Sequence, residues 1–411
     1  MYKIDEKSKI EIVLNFKWSS QFANHEEIHF CNVNIWRDID LFPIKIKDNI
    51  LGKKEGDVFS VSFKKGELFK YSDDNVLDLE TKQFQPHHPY KGRIKPKLGR
   101  FYPLGFFIGL REVFPQNIRP ARVIEIKNGK IKIDINVPIS FYDIEVEGHI
   151  LKVRKKTSEV GGECKEWFAI CLENGPGMQT RYKNIPTDFE FENPETYLRE
   201  DESEDTIFYK QPRLTTHIDA KCHENLMMLY EKLLPKEGKI LDLMSGYQSH
   251  IPENNNSFVV GLGLNEEEMR LNPRLDDFIL KDINKDPKLP FNDEEFDAVV
   301  CDLSIEYVTK PFDLIREVKR ILKKDGVFTV SFSNRYFPTK VIKLWTDLHD
   351  FERMGYVLEI LLRVQGFKDI KTFSVRGFRR PFDDKYFGCT FFSDPLYLVY
   401  AKKNSLDSKS L

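Results

Sequence analysis

The stretch KILDLMSGYQSHIP, residues 239–252, decides how the C-terminal half of the chain folds. An apolar run reaches an acidic position at Asp242 and passes into a turn of small residues at Ser245 and Gly246. This pattern is typical of the first strand of a nucleotide-binding fold, because such a turn lets the backbone approach a ligand closely. Only one glycine stands where these loops commonly carry two or three. Whether the loop still holds a cofactor is therefore the central question.

From residue 206 onward, helical and strand patterns alternate around this stretch. Strands are predicted at 239–244, 257–264, 278–282, 296–302, 327–332, near 370–376 and at 395–402. Helices are predicted at 219–234, from about 266, at 311–323 and at 339–363, with a turn at 323–326. Such alternation predicts an α/β Rossmann-like domain with a mostly parallel sheet and helices on both faces. Its ligand should lie beyond the carboxyl ends of the strands, where the strand order reverses.

Residues 1–157 are predicted to form a separate β-rich domain. KIEIVLNFKW and GKIKIDINVPI alternate apolar and polar residues, the period of half-buried strands. FQPHHPYKGRIKPKLGRFYP, residues 84–103, is rich in Pro, Gly and basic residues, which indicates a loop or flap. Residues 158–205 are predicted to be a linker with some irregular or strand structure, ending in the acid-rich, solvated run REDESED. Residues 404–411 form a polar tail.

Bulk composition limits the function classes. A length of 411 residues favours two or three domains, and a net charge of −2 gives no electrostatic footprint for nucleic acid or an acidic membrane. The six cysteines include no C-x-x-C pair, so neither a zinc site nor a disulfide framework is indicated, and no metal is expected. No apolar run approaches a membrane span. The chain is therefore expected to be cytoplasmic, without nucleic-acid or membrane partners.

Polar residues at the predicted strand ends are candidate ligand contacts. Asp242 could accept a hydrogen bond from a cationic amine, or it could fix its own turn. Gly263 stands where a carboxylate commonly accepts both ribose hydroxyls; Asn265 or Glu266 could substitute, although Asn265 also fits a helix N-cap. At the end of the next strand, Asp282 could accept from an adenine amino group and Ile283 could contact the ring face. After the strand at 296–302, Asp302, Glu306 and Tyr307 would face the reacting group. Alternatively, Glu306 and Tyr307 only contribute packing at the start of a helix.

Four motifs resemble those of class I S-adenosylmethionine-dependent methyltransferases and occur in the same order. They are KILDLMSG, FVVGLGLN, LKDIN…LPFNDEEFDAVVCDLSIEYV and LIREVKRILKKDGVFTVSFSN. The resemblance covers residues 206–403 and implies S-adenosyl-L-methionine as cofactor. It implies that Asp242, Ser245 and Gly246 line the methionine part, Gly263 and Asn265 meet the ribose, and Asp282 and Ile283 meet adenine. The glycine-poor loop and the missing carboxylate at Gly263 depart from the family pattern.

Methyl transfer needs placement of a nucleophile against an activated sulfonium, with a base only where the nucleophile arrives protonated. The catalytic candidates are Tyr307, Glu306 and His250. The candidate substrate contacts are Tyr209, Arg213, His217, Asn334, Arg335, His349, Glu352 and Arg353. Arg376, Arg379 and Arg380 could bind a substrate carboxylate, or could form a solvated loop paired with Asp383 and Asp384.

The N-terminal half resembles the SlyD-like branch of the FKBP prolyl isomerases. The resemblance rests on ILGKKEGDVFSVSF, FKYSDDNVLDLETKQF, RPARVIEIKNGKIKIDINVPI and YDIEVEGHILKV. The family's NHPLAGK-like stretch is replaced by NVPISFYD, which argues against isomerase activity, and Ile133, Ile135, Phe141 and Ile144 are expected in the core. His87 and His88 on the flap lack further metal ligands.

The leading hypothesis is a methyltransferase acting on a small metabolite, such as a thiol or amine, or on a protein that the first domain presents or covers. The alternative is a peptide-binding or prolyl-isomerase-type folding factor with a non-catalytic methyltransferase-like scaffold. The sequence does not predict the oligomeric state.

Overall fold

The computed structural model describes residues 2–34, 43–157, 171, 175 and 177–405. The chain divides into two compact units. Unit 1 comprises Met1–Phe189, Asp347–Gly355 and Arg376–Phe378, and unit 2 comprises Glu190–Thr346, Tyr356–Val375 and Arg379–Leu411. Of the predicted linker, residues 158–170, 172–174 and 176 lie outside the described residues, as do residues 406–411 of the predicted tail. Within the described part of the chain, no helix is both long and apolar enough to cross a membrane.

Unit 1 contains two antiparallel sheets. Its strands are β1 (Ser8–Ser19), β2 (Asn24–Asn34), β3 (Val58–Phe63), β4 (Val76–Glu80), β5 (Phe101–Pro103), β6 (Pro120–Lys127), β7 (Lys130–Asp134) and β8 (Ile144–Lys155), with the helix α1 (Ile44–Ile50) between β2 and β3. The first sheet has the order β2-β1-β8-β3, and the second has the order β4-β7-β6-β5. The predicted β-rich character of this half is confirmed.

The period-two pattern of β1 explains the first sheet. Its inward residues include Ile10, Ile12, Leu14 and Phe16, all fully buried, while the intervening positions are partly or fully exposed. The second sheet lies in the chain between β3 and β8 and has its own apolar core, formed by residues such as Tyr102, Phe106, Val123 and Ile133. Of the residues expected in the core, Ile133 and Ile144 are buried, whereas Ile135 and Phe141 are only partly buried.

Unit 2 is built on a seven-stranded sheet. Its strands are β9 (Lys239–Leu243), β10 (Phe258–Gly263), β11 (Asp277–Leu280), β12 (Phe296–Asp302), β13 (Leu322–Phe332), β14 (Phe367–Arg376) and β15 (Leu396–Lys403). The order is β11-β10-β9-β12-β13-β15-β14. β9 to β13 pair in parallel, and β15 is antiparallel to both of its neighbours. The predicted Rossmann-like, mostly parallel sheet is confirmed.

The helices of the C-terminal half either precede β9, as α2 and α3 do, or connect the strands that follow it. They are α2 (Asp205–Phe208), α3 (Ala220–Leu233), α4 (Glu266–Arg270), α5 (Pro311–Ile321), α6 (Lys343–Asp347) and α7 (Asp350–Val364). Asp219 caps α3 as predicted, since its carboxylate accepts from the Cys222 N–H at 2.9 Å. The single helix predicted at 339–363 is instead two, α6 and α7. The turn predicted at 323–326 lies within β13, where Asp325 adopts a φ of 60°.

The acid-rich run 199–205 is not a solvated linker throughout. Asp205 is 5% exposed and accepts two hydrogen bonds from the Arg199 guanidinium, at 2.7 and 2.9 Å. The fully buried Lys340 ammonium lies 3.3 Å from Asp205 and 3.2 Å from Asp201. The acid-rich sequence predicted solvation because one of the cations that neutralise these acids, Lys340, lies far along the chain and is not visible in the local pattern.

Candidate functional site

The candidate site of unit 2 lies where the sheet order reverses. From β9 the chain continues to β10 and β11 on one side, whereas β12 and β13 lie on the other side. Because these strands are parallel, their carboxyl ends meet at one edge of the sheet. Asp242, Gly263, Asp282 and Asp302 stand at or just beyond the ends of β9, β10, β11 and β12. Ligands of open α/β sheets bind at this position.

The loop after β9 is held by its own contacts. The Ser245 N–H donates to the Leu262 carbonyl at 2.8 Å, and the Ser245 hydroxyl donates to Asp242 at 3.0 Å. Met244 adopts a φ of 63°, a left-handed conformation that favours glycine. The loop therefore takes a glycine-type path without the glycine, and Asp242 does help to fix its turn.

Asp242 and Asp302 form a pair of buried carboxyl groups at the reversal point. Burial raises the pKa of Asp242 to about 7, with a further contribution from the negative charge of Asp302, and burial raises the pKa of Asp302 to about 6. One oxygen of Asp302 accepts hydrogen bonds from the Tyr230 and Ser331 hydroxyls. Its other oxygen is buried and has no hydrogen-bond partner among the described residues.

A buried carboxylate oxygen without a donor is costly, so this arrangement favours a ligand that supplies one. A cationic amine meets both requirements, because it donates hydrogen bonds and offsets the charge that burial disfavours. The amino acid moiety of S-adenosylmethionine carries such a group. On this observation the residues at the reversal point fit the cofactor.

The end of β10 explains the missing carboxylate. A Cβ at Gly263 would lie 2.2 Å from the Ser245 carbonyl oxygen, so no side chain fits there. Asn265 is an N-cap: its side-chain oxygen accepts from the Glu268 N–H at 3.0 Å, and its amide donates to the Tyr209 carbonyl at 2.8 Å. The capping alternative for Asn265 is thus the one observed.

Glu268 is a site residue that is not among the ligand contacts predicted from the sequence. It is 7% exposed, accepts from the Arg213 N–H at 2.7 Å, and lies close enough to Gly246 that a Cβ there would be 3.0 Å from its carboxylate. Its position one turn into α4 places an acid beside the loop after β9. The acidic start of α4, Glu266–Glu268, was the signal that could have indicated it.

Beyond β11, Asp282 caps its own turn. One carboxylate oxygen accepts from the Asn284 N–H at 2.9 Å and from the Lys285 N–H at 3.1 Å. Ile283 is 4% exposed and Asp282 is half-buried. The Asn284 amide in turn donates to the Tyr307 carbonyl at 2.9 Å. This turn therefore connects the segment after β11 with the segment after β12.

An aromatic cluster surrounds the predicted acceptor side. The Arg213 guanidinium lies 4.4 Å from the ring centre of Phe208, 5.3 Å from that of Tyr209 and 4.9 Å from that of Phe337. Phe337 also contacts the rings of His217 at 5.6 Å and Tyr307 at 5.9 Å. One guanidinium nitrogen of Arg213, Nη1, is buried without a hydrogen-bond partner in the described residues.

Glu306 and Tyr307 belong to the same cluster. Glu306 is 1% exposed, and the Tyr307 hydroxyl accepts from the Phe337 N–H at 2.8 Å. Burial and the charge of Glu306 raise the pKa of Tyr307 well above its ordinary value, so its hydroxyl stays protonated near neutral pH. The structure thus brings together Tyr209, Arg213, His217, Glu306 and Tyr307.

His250 lies beside His223, with 2.7 Å between their Nδ1 atoms. Burial, with contributions from His223 and His217, lowers the pKa of His250 to about 3. The imidazole is neutral at physiological pH and is a weak base, which disfavours the catalytic role predicted for it.

Three other candidates have different surroundings. Arg335 forms ion pairs with Asp394 at 2.7 Å and Asp384 at 3.2 Å, and Arg380 binds the same two carboxylates. Arg380 was predicted either to bind a substrate carboxylate or to pair with Asp383 and Asp384. Pairing with Asp384 is the arrangement observed. Asn334 is exposed. His349 belongs to unit 1, as do Glu352 and Arg353, where it stacks on Phe351 at 5.2 Å.

Comparison with known proteins bears on unit 2. A family model described as a methyltransferase domain matches residues 243–330. An uncharacterized protein of Methanocaldococcus jannaschii is 34% identical over 97 residues, which cover 22% of this chain and 46% of that protein. The chain thus spans about half the length of the curated relative that it matches.

Two solved structures are among those matched by unit 2. A methyltransferase from Archaeoglobus fulgidus, described as S-adenosylmethionine-dependent, is 16% identical, with 44% of this chain and 94% of that chain covered and a TM-score of 0.32. One from Mesorhizobium loti is 19% identical, with 43% and 96% covered and a TM-score of 0.29. The family match and the site together support S-adenosylmethionine as the cofactor. Residues 243–330, in the C-terminal half of the chain, are therefore similar to a methyltransferase domain.

Proposed function

We propose that the protein transfers a methyl group from S-adenosylmethionine to an amine or thiol of a small metabolite or of a protein. The single observation that carries the cofactor assignment is the buried carboxyl pair Asp242 and Asp302 at the reversal of the sheet, within the segment that the methyltransferase model matches. The bound cofactor would supply a methyl group already activated by its sulfonium. The contribution of the chain is then to bind, to orient and to exclude water.

We assign the amino group of the cofactor to Asp302 and Asp242, since Asp302 has the unpartnered oxygen. Asp282 and Ile283 remain the proposed adenine contacts. Position 263 has no room for a side chain, and the Asn265 side chain caps α4. We therefore propose that the buried Glu268 carboxylate binds the ribose hydroxyls. Each of these residues lies near the carboxyl end of a different parallel strand or in the segment after it. They therefore meet at the same edge of the sheet.

The cluster around Phe337 is the proposed acceptor side. An amine that reaches this side as an ammonium would first lose a proton to the buried Glu306 carboxylate, which frees the lone pair that would attack the methyl carbon. The carbon–nitrogen bond would form as the sulfur–methyl bond of the sulfonium breaks, and the electron pair of that bond would stay on sulfur. The Tyr307 hydroxyl, which stays protonated, would help to orient the acceptor. Phe337, Tyr209 and Arg213 would exclude water from it.

Titration calorimetry with S-adenosylmethionine tests the cofactor assignment. Asp302→Asn should weaken binding about tenfold or more, since a charge-assisted hydrogen bond is worth roughly 1.5–3 kcal/mol. Asp277→Asn is the matched control, because Asp277 lies in the exposed edge strand β11 of the same sheet and should leave the affinity unchanged. Equal affinity of the Asp302→Asn variant and the wild-type protein would contradict the assignment.

A second experiment separates binding from turnover. Glu306→Gln and Tyr307→Phe should reduce transfer of a labelled methyl group into acceptors of a cell extract, while the dissociation constant for the cofactor changes less than about twofold. A loss of cofactor affinity equal to the loss of turnover would place both residues on the cofactor side instead.

We further propose that unit 1 resembles FKBP-type peptide-binding domains in function, and presents a peptide or protein acceptor. The support is an exposed apolar group in the loop between β5 and β6, where Phe114 is 72% exposed and Ile118 is 57% exposed. Phe114→Ser with Ile118→Ser should raise the Michaelis constant for a peptide acceptor and leave cofactor binding intact. An unchanged constant would favour a small-molecule acceptor.

A further inference from the structure

One face of β2 carries an unusual set of side chains. Residues at alternate positions of a strand point to the same side of the sheet. On β2 the buried positions include His25, Glu27 and Cys31, each 1% exposed, and His29 shares their alternation. A buried strand face normally carries apolar residues. A run of imidazole, carboxylate and thiol groups on such a face therefore needs a chemical reason.

The described residues of unit 1 contain a compact group of potential metal ligands at the end of this face. The Cys31 Sγ lies 3.2 Å from the Cys171 Sγ and 3.5 Å from the His29 Nδ1. All three ligand atoms lie within 4.8 Å of one another. Both cysteines are buried, and His29 is partly buried.

We propose that His29, Cys31 and Cys171 bind a zinc ion. Zinc–sulfur bonds of about 2.3 Å and zinc–nitrogen bonds of about 2.0–2.1 Å in a tetrahedron separate the ligand atoms by roughly 3.5–3.8 Å. The separations observed at Cys31 are within about 0.6 Å of those values. Two thiolates and one imidazole are ligands that zinc prefers, whereas magnesium and calcium prefer oxygen.

The surroundings orient these ligands. The Arg376 guanidinium donates to the Cys171 carbonyl at 3.0 Å and lies 3.9 Å from the Glu27 carboxylate. Gly377 has a φ of 85°, and a Cβ at this position would lie 2.6–2.7 Å from Cε1 and Nδ1 of His29. The backbone thus passes directly against the imidazole that would bind the metal. Fixed neighbours of this kind preorganise a metal site, because they limit the orientations of the ligands.

Three protein ligands leave one tetrahedral position for water or another small ligand. The ion would connect β2 with the Cys171 segment inside unit 1, and would stabilise that unit. The inference does not rest on the proposed methyltransferase function, because its ligands belong to unit 1 and its readout is metal content. The sequence did not indicate the site, because Cys31 and Cys171 are 140 positions apart.

The test uses the full-length protein, purified under reducing conditions. Elemental analysis should find about one zinc per chain, and exchange for cobalt should give the thiolate charge-transfer and intense visible bands of a tetrahedral site. Cys31→Ser and Cys171→Ser should each lower zinc affinity at least tenfold. Cys222→Ser, which removes a buried cysteine of unit 2, is the matched control and should retain the metal.

His29→Gln provides a second variant in case the cysteine variants fail to fold, since His29 is only partly buried. It should keep the fold by circular dichroism and weaken the cobalt spectrum. Wild-type protein that folds but binds no zinc or cobalt at micromolar concentrations would overturn the proposal. So would a disulfide between Cys31 and Cys171, detected by mass spectrometry in protein isolated with its thiols trapped.

Discussion

Met244 shows how one residue can replace a glycine at a conformational cost. Its left-handed φ of 63° costs a non-glycine residue about 1–2 kcal/mol, part of which the lower entropy of the unfolded chain offsets. Met244→Gly should therefore stabilise the protein by about 0.5–1 kcal/mol in chemical denaturation. Ser245→Gly is the control, because Ser245 is not in the left-handed region and its hydroxyl binds Asp242; it should destabilise. Loss of stability in Met244→Gly would show that the side chain contributes more than the backbone costs.

The raised pKa values of Asp242 and Asp302 predict a pH dependence of cofactor binding. A cationic amine prefers the carboxylates, so affinity for S-adenosylmethionine should rise as the pH passes through the two values, about 6 and about 7, and level off above them. Calorimetry across this range measures it. Asp242→Asn should remove the upper part of the rise, and Asp282→Asn should preserve it. A flat profile in the wild-type protein would place the amine elsewhere.

Stability without ligand should follow the opposite trend. The unfolded chain releases these protons near pH 4, whereas the folded protein retains them up to about pH 6–7. These two groups therefore remove stability as the pH rises across that window. The two pH dependences can be separated by measuring unfolding with and without the cofactor.

The sequence predicted where the site residues lie on the strands, but it did not predict which atoms they contact. Asp242 and Asp302 were identified because apolar runs end at them, which is a local property of the chain. The closure of Gly263 by the Ser245 carbonyl and the use of Asn265 as a cap depend on atoms that the fold brings together. The contribution of Glu268 was missed for the same reason.

At the scale of elements, one buried lysine organises the start of unit 2. Lys340 is fully buried, donates to the carbonyls of Asp201 and Ser203 at 3.1 and 2.6 Å, and pairs with Asp205. Lys340→Met should destabilise by about 3–5 kcal/mol, because Asp205 would keep a buried charge with fewer partners. Lys343→Met is the control: that ammonium is 38% exposed and lies 3.7 Å from Glu195, so its loss should cost below about 1 kcal/mol. Equal effects in urea denaturation would rule out an organising role for Lys340.

Element prediction succeeded where local pattern decides the structure. The strand predicted at 296–302 matches β12, and α5 begins at the predicted Pro311. The turn predicted at 323–326 is a bulge within β13, because pairing with β12 passes from Leu322 directly to Val327 across a register shift. Element prediction failed at 339–363, where the chain forms α6 and α7 instead of one helix.

At the scale of the molecule, unit 1 is completed by residues from late in the chain. Arg100 and Glu352 have side chains 3% and 1% exposed and form an ion pair at 2.6 Å within this unit. Glu352→Ala should destabilise by about 3–5 kcal/mol, since it leaves Arg100 buried without that partner. Glu359→Ala is the control, because Arg363, its ion-pair partner at 3.2 Å, is 34% exposed; it should cost less. Thermal unfolding measures both.

The same ion pair predicts that a fragment of residues 1–189 is less stable than unit 1 in the full chain, because the fragment lacks Glu352. Limited proteolysis should therefore not release a stable N-terminal piece after a single cut near 195–205. A resistant fragment of that size would show that Arg100 finds another partner.

The chain leaves the first sheet of unit 1 to form the second sheet, and it returns to the first sheet at a neighbouring position. Phe63, the last residue of β3, is paired directly with Ile144, the first residue of β8. A hairpin turn in place of residues 64–143 would leave the register of β3 and β8 unchanged, but would remove Ile139 from the core of the first sheet. In evolutionary terms, a whole module of this kind can be gained, lost or swapped by recombination at one point of the parent domain. The buried Glu352 would then have to change as well, because its partner Arg100 belongs to the exchanged module.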